Sequence, residues 1–364
     1  MDIKVTPIGD DEVRKELQIV QGNAFAYNDV TASTQRGPLK PKLLTALLGG
    51  TTSTSMTKSF IYDEITNTAQ LPSGKSFTEF GKDLPQDGAK QKTFAIGSNG
   101  LRLNVLPADY SERRIPGTND LMDEAYLIGQ LTAKADTAWV LDDELGFAQL
   151  LTLDTNRVNG GPFTVYNYYT DITGGARPAK FDMDLGTGAT DQNLLIRNQL
   201  KALREEVSRS GESVNAFVCI CGDTFFNERF LIEQKITFNR ELRNELDLAS
   251  MQIPMSDFGS STFMYDWFKG MQDGIIYINY GAEILDSTPM IGLSDAYLIP
   301  VGANQFMGLA YAPAQTRTYV NKEALKRYSW SREDEFKGMT MWQEENKLFF
   351  NKNPRLIRAL TTST

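Results

Sequence analysis

The sequence predicts an α+β subunit in which an N-terminal arm, an extended β-hairpin, one long helix and a central α/β unit follow one another, with strands closing the chain. Three observations lead there. A polar stretch too poor in apolar residues to bury itself lies between two strand-like runs at 58–105. A helical pattern without proline runs from about Asn119 to Leu151. Alternating helix and strand signals fill most of what remains.

Composition narrows the function classes. With 364 residues, 41% of them apolar, the chain is long enough for more than one packing unit, since single cores stop growing near about 250–300 residues. There are no histidines, which removes Ser-His-Asp and Cys-His nucleophiles, His-ligated metal centres and the commonest general base near neutral pH. Carboxylates, lysines and tyrosines remain for acid/base or phosphate chemistry. The formal charge of −9 opposes a nucleic-acid grip, because such binding rests on a basic excess that releases counterions. No run approaches the roughly 18 apolar residues of a membrane span. The N-terminus leads into Asp10, Asp11, Glu12, Arg14, Lys15 and Glu16 rather than an apolar signal core, so a cytoplasmic origin is expected.

Residues 10–21 carry a short amphipathic pattern (Val13, Leu17, Val20), then polar residues, Pro38 and Pro41, and a Ser/Thr run to Thr57. This reads as an arm over 1–57. The hairpin follows, with Phe60-Ile61-Tyr62 and Thr93-Phe94-Ala95-Ile96 as its outer strands. Between them Leu71, Phe77, Phe80 and Leu84 are scattered among Lys75, Lys82, Lys90 and Lys92 and the acids Glu79, Asp83 and Asp87. Such a segment projects and needs another molecule to lie on. A neighbouring subunit is the expected partner, which makes Lys75, Phe77, Glu79, Phe80, Lys82, Asp83, Lys90 and Lys92 candidate interface residues. Arg113 and Arg114, in the loop before the long helix, could grip phosphate, reach a neighbour or simply be exposed.

The long helix places Leu121, Ala125, Ile128, Leu131, Ala135, Trp139 and Leu145 at helical spacing, with Asn119 or Asp120 as its cap. At 1.5 Å per residue it spans on the order of 45–50 Å, a rod suited to an elongated subunit. A helix over about 192–210 (Leu194, Leu195, Leu200, Leu203, Val207) precedes a strand at 216–221, a helix at 223–235 and strands near 275–278, 296–300 and 307–311. The C-terminal section alternates in pieces, at 339–342 and 347–350, before turning at Asn351–Pro354. Cys219 and Cys221 share one strand face with Phe217 and read as buried thiols rather than a disulfide or metal pair.

Taken in order, the blocks resemble the Hong Kong 97-type major capsid proteins of tailed phages, and more narrowly the lambda-like capsid protein E family. The likeness rests on Arg113-Arg114-Ile115 leading into Leu121–Ala125, Val214–Cys221 followed by Phe225-Phe226, Ala296–Pro300, and Asn353-Pro354-Arg355-Leu356-Ile357. It implies an extended loop over 58–100 and a peripheral domain over 101–185 whose spine is the helix at about 119–151. It further implies an axial domain over 186–318 and C-terminal strands over 319–364 that return to the peripheral domain. Function follows from the same likeness: self-assembly into hexamers and pentamers of an icosahedral virion head that encloses double-stranded DNA without sequence-specific binding. Expected partners are further copies of the chain, a portal, a separate scaffolding protein and a decoration protein. No catalytic residue, cofactor, metal or membrane contact is expected.

The rival reading is nucleotide binding, because Ala69-Gln70-Leu71-Pro72-Ser73-Gly74-Lys75-Ser76 fits a loose P-loop with Ala for the first Gly. A working loop opens straight into a helix. The residues that follow here, Phe77 to Pro85, hardly sustain two turns. Asp142-Asp143-Glu144 and the pair Asp182 and Asp184 could hold a divalent cation or act as general acids, but such clusters are expected to be solvated faces. Tyr265-Asp266-Trp267-Phe268 fits an interface or core packing.

Overall fold

In the computed structural model the described residues are 43–66, 88–117, 120–157, 164–185, 192–210, 214, 216–236, 268–272, 275–280, 283–284, 288–302, 306–334 and 338–362. The helix expected at 10–21, the hairpin interior with Lys75, Phe77, Glu79, Phe80, Lys82 and Asp83, the P-loop-like segment and Trp267 lie outside them.

The described chain opens with helix α1 (Leu43–Leu48), which buries Leu43, Leu44, Leu47 and Leu48, and strand β1 (Thr51–Thr54). β2 (Ser59–Thr66) and β3 (Gly88–Ala95) pair antiparallel from Ser59↔Ala95 to Thr66↔Gly88, as the hairpin pattern predicts. β4 (Gly97–Val105) and the single turn α2 (Pro107–Tyr110) follow.

Helix α3 (Glu124–Leu153) is the long rod, 30 residues or about 45 Å. It begins later than the 119–151 expected, and its cap is Asp123, whose carboxylate accepts from Tyr126 N at 2.8 Å. The residues expected to open it are used otherwise. Arg114 bridges Leu121, Ile115 N donates to Asp120 O and Met122 N to Arg113 O, which ties 113–115 to 120–122; Asn119 lies outside the described residues. At the other end Asp154 takes the left-handed conformation (φ 55°, ψ 36°) and closes the helix.

Next come α4 (Tyr168–Thr173), β5 (Phe181–Asp182) and α5 (Gln192–Ser210). α5 buries Ile196, Leu200, Leu203 and Val207, while Leu194, expected on the same face, is exposed. The chain continues through β6 (Ala216–Cys221), α6 (Asp223–Ile236), β7 (Phe268–Gln272), β8 (Ile275–Asn279), β9 (Glu283–Ile284), β10 (Thr288–Pro289), β11 (Asp295–Val301) and β12 (Met307–Tyr311). It ends with β13 (Tyr328–Asp334), β14 (Gly338–Asn351), a 3-10 turn (Pro354–Leu356) and β15 (Arg358–Thr361).

Two main sheets organise these strands. One is five-stranded, in the order β1-β12-β14-β13, with β4 also on β14. The other is six-stranded, in the order β5-β15-β11-β6-β8-β7. β14, read from sequence as separate pieces, is one 14-residue strand. β13 pairs with it over 338–344, β4 over 339–347 and β12 over 347–351. The strands of 319–364 divide between the sheets, since β15 pairs with β11 and β5.

α3 lies on the five-stranded sheet against β4 and β14. Its approach is close at Gly146, where an added Cβ would sit 2.2 Å from the Phe349 ring, so no larger residue fits without shifting that ring. Cys219 and Cys221 are buried and free, with their sulfurs 3.6 Å apart. Burial holds the Cys221 thiol well above its usual range.

Candidate functional site

The hairpin is fixed at its root by alternate side chains of paired strands. Phe60 faces Phe94, and Tyr62 faces Lys92, directly across the ladder, so all four share one face. Phe60 stacks on Phe350 with ring centroids 4.5 Å apart. Phe94 meets Tyr166 and Tyr168 edge-on at 5.0 and 5.4 Å. Tyr166 Oη accepts from Ala95 N at 2.9 Å. Lys92 donates to the carbonyls of Asp171 (2.7 Å) and Ile172 (3.1 Å) in the last turn of α4, where a cation meets unsatisfied backbone oxygens. Ile61, on the opposite face, is exposed. Lys92 is thus a root anchor within its own chain, and Lys90 lies on β3 opposite Glu64. Arg113 and Arg114 are exposed on the loop that leads to α3.

The second site was not anticipated. Asp142, Asp143 and Glu144, expected as a solvated face, are buried. The reason is β14, whose alternate residues Gln343, Glu345 and Lys347 are buried with them and contact α3 or its neighbours. Lys347 Nζ lies 2.5 Å from Asp143 Oδ1, 2.8 Å from Glu345 Oε2 and 3.0 Å from Asp142 Oδ2, with its side chain fully buried. Arg327 holds Glu345 at 2.8 Å and Asp136 at 2.5 Å, and Arg157 holds Asp142 at 2.6 Å. Trp139 donates to Gln343 Oε1 at 2.8 Å, and its ring lies under both Arg327 (5.5 Å) and Lys347 (5.3 Å).

Burial works against the Lys347 charge, but Asp143, Glu345 and Asp142 outweigh it and hold the ammonium above the ordinary lysine range. One cation shared among three carboxylates compensates each only in part. Burial therefore outweighs Lys347 at Asp143 and holds that carboxyl above its usual range. The missed residues Glu345 and Lys347 left one trace in the sequence, an unbroken polar run from Gln343 to Lys347 inside a strand whose continuation is apolar; Arg327 and Arg157 left none.

Glu144 points to a different partner. It is fully buried and accepts from Leu44 N (2.7 Å), Thr45 N (3.0 Å), Thr45 Oγ1 (2.8 Å) and Tyr280 Oη (2.8 Å). It thereby ties α1 to α3. Burial pushes its pKa from 4.5 to about 7 despite these donors. Asp154, also buried and bonded to Asn351 Nδ2, is pushed from 3.8 to about 6 by the same cause. Because the folded carboxyls hold protons that the unfolded chain has already released, stability is greatest at low pH within this window. It falls as pH rises from about 4.5 to about 7. For Glu144 alone the loss is on the order of 3 kcal/mol. Urea unfolding of Glu144→Gln is expected to lose the larger part of this decline between pH 5 and 7.5; an unchanged decline would place its origin elsewhere.

Among the described residues no group of three or more His, Cys, Asp or Glu has metal-binding geometry, and no helix is long and apolar enough to cross a membrane. Asp184 N donates to Asp182 Oδ1 at 3.0 Å, a local turn.

The two sheets, the rod laid on one of them and the clamped hairpin are the arrangement of the Hong Kong 97-type fold. Among solved structures, a prophage capsid protein from E. coli CFT073 aligns with a TM-score of 0.57 at 12% identity, over 98% of this chain and 100% of that one. The capsid of Ralstonia phage GP4 gives 0.49 at 10% identity, over 90% and 92%. The mature capsid of bacteriophage PhiM1 gives 0.49 at 9% identity, over 88% and 87%. No curated protein sequence matches the chain. Residues 27–362 match the family described as phage major capsid protein E, and the chain belongs to that family. It is a shell-forming major capsid protein of the virion head.

Proposed function

We propose that the chain closes an icosahedral head by forming pentamers and hexamers, each subunit laying its hairpin across the next, and that it encloses double-stranded DNA without gripping it. The observation that carries this reading is the contrast between the two parts of the hairpin. Its root is held by aromatic stacking and by Lys92, whereas residues 67–87 have too few apolar side chains to stabilise themselves. Lys75, Phe77, Glu79, Phe80, Lys82, Asp83 and Lys90 then meet the neighbour, and Arg113 and Arg114 add a second contact from the exposed loop. Many modest contacts acting together give a closed assembly its strength. In this scheme α3 and the five-stranded sheet form the peripheral unit, the six-stranded sheet forms the axial unit, and the subunit performs no catalysis. A portal, a separate scaffolding protein and a decoration protein complete the partners, and synthesis takes place in the host cytoplasm.

Electron microscopy of the protein, expressed alone and together with the scaffolding protein of its phage, is expected to reveal closed shells of uniform diameter in at least one case. Monomers in both would overturn the proposal.

A further inference from the structure

The turn Asn353-Pro354-Arg355-Leu356-Ile357 presents cations to a hollow in the surface. Pro354, Leu356 and Ile357 are buried, and Leu356 N and Ile357 N close the turn on Asn353 O (3.1 Å) and Pro354 O (3.4 Å). Arg355 therefore stays exposed, with Arg358 half-buried beside it. α4 and α5 both pack on this turn. Where the three meet lies a cleft of about 260 Å³ lined by Tyr169, Pro178, Glu206, Arg355, Ile357 and Arg358. A second cavity of about 190 Å³ shares four of these residues and reaches Phe181, which is exposed on the edge strand of the six-stranded sheet. The acid nearest to hand, Glu206, is held by Arg209 at 3.0 Å. Arg177, in the wall of the second cavity, is also committed, since its terminal nitrogens donate to Thr152 O at 2.6 Å and Leu151 O at 2.7 Å. Among the described residues neither Arg355 nor Arg358 has a carboxylate within ion-pair distance, and Arg358 Nε is shielded from solvent without an acceptor. A charged donor in that position is costly to leave unmatched, which favours an oxyanion brought to it.

We propose that this cleft receives an Asp or Glu side chain from a second copy of the chain, its carboxylate seated between Arg355 and Arg358. The inference rests on the assembly proposed above. Guanidinium groups match a carboxylate with paired hydrogen bonds, and Pro178 and Ile357 offer apolar surface to the carbon stem of the entering residue. Nucleic acid fits less well. Its phosphates recur along a strand and call for an extended basic track, whereas this site is a hollow with Glu206 in its wall. A second copy has the complementary charge. The chain carries 46 acidic against 37 basic side chains, so every copy presents acids in excess to its neighbours in the shell. Copies of like net charge repel, and two guanidinium groups set in a hollow fix where an acidic surface can settle. One patch is received by a different one, a heterologous contact of the kind that builds rings.

Shell yield and a zero-length chemical cross-link test this in the full-length protein, under conditions in which the wild type is assayed for shells. Arg355 is exposed, so Arg355→Glu and Arg355→Lys are both expected to leave the subunit folded by circular dichroism. Arg355→Lys keeps the charge and is expected to form shells. Arg355→Glu sets a carboxylate against a carboxylate and is expected to lower the yield about tenfold or more. When Arg355→Lys shells are assembled from a mixture of nitrogen-15-labelled and unlabelled chains, carbodiimide is expected to couple the amine at position 355 to an acid of another copy. Mass spectrometry reads that link as a peptide pair of mixed isotope. Wild-type yield from Arg355→Glu, equal loss from both variants, or a link confined to one chain would each overturn this inference alone. Wild-type protein that stays monomeric would overturn the shell reading and this inference with it.

Discussion

Replacing residues 67–87 with a short Gly-Ser turn is expected to leave a soluble subunit with near-native circular dichroism and thermal unfolding that no longer closes shells. The root survives the replacement because its anchors, Phe60, Tyr62, Lys92 and Phe94, lie outside the exchanged segment, and the ladder still runs from Ser59↔Ala95 to Thr66↔Gly88. What is removed is the segment with Leu71, Phe77, Phe80 and Leu84 and its alternating charges. Each exposed ion pair it makes contributes only about 0–1 kcal/mol and is salt-sensitive, so the contact works by number and by apolar cover. Its loss is repeated at every subunit of the shell, which turns a modest deficit per contact into failure of closure. Particle yield by sedimentation and electron microscopy is the measurement. Wild-type yields would show that the hairpin tip is not an assembly element, and a subunit that fails to fold would assign these residues to its own core.

The largest effect on the subunit itself is expected at Lys347. Lys347→Met keeps an unbranched stem one atom shorter and removes the charge, leaving Asp143 without its close cation and depriving Asp142 and Glu345 of one each. Breaking one partner out of a buried network costs about 3–5 kcal/mol, a large part of the stability of an ordinary domain. Chemical denaturation of the soluble protein reads this out. In the double variant Lys347→Met with Asp143→Leu the orphaned acid is gone too, so part of the loss is expected to return. A single variant as stable as wild type would mean that solvent reaches the site and screens the acids.

The blocks of the fold were legible because each is governed by a local rule. The hairpin strands alternate, α5 repeats with helical spacing, and the long rod contains no proline. The rod's start was misplaced because Asp123, rather than Asp120, is free to cap once 113–115 has paired with 120–122. That choice depends on the pairing of Arg114 with Leu121, nine and two residues upstream, which no capping preference contains. β14 was read in fragments for the opposite reason. Gln343, Glu345 and Lys347 look like surface residues until the acids of α3 are placed against them, and the partners are about two hundred residues away in the chain. Acidic runs such as 142–144 are solvated more often than buried, so only the tertiary packing reveals the network. The hairpin tip, read as the assembly element, lies beyond the described residues, and its proposed role rests on composition and on the anchored root.

Both of the chain's cysteines sit side by side in the interior of β6, fully shielded from solvent. The native subunit therefore offers maleimides no accessible sulfur. A cysteine introduced at an exposed position such as Ile61, Leu121 or Val165 would be chemically unique on every copy. A particle made from such subunits would carry labels in a regular lattice, one per subunit, with no background reaction to remove.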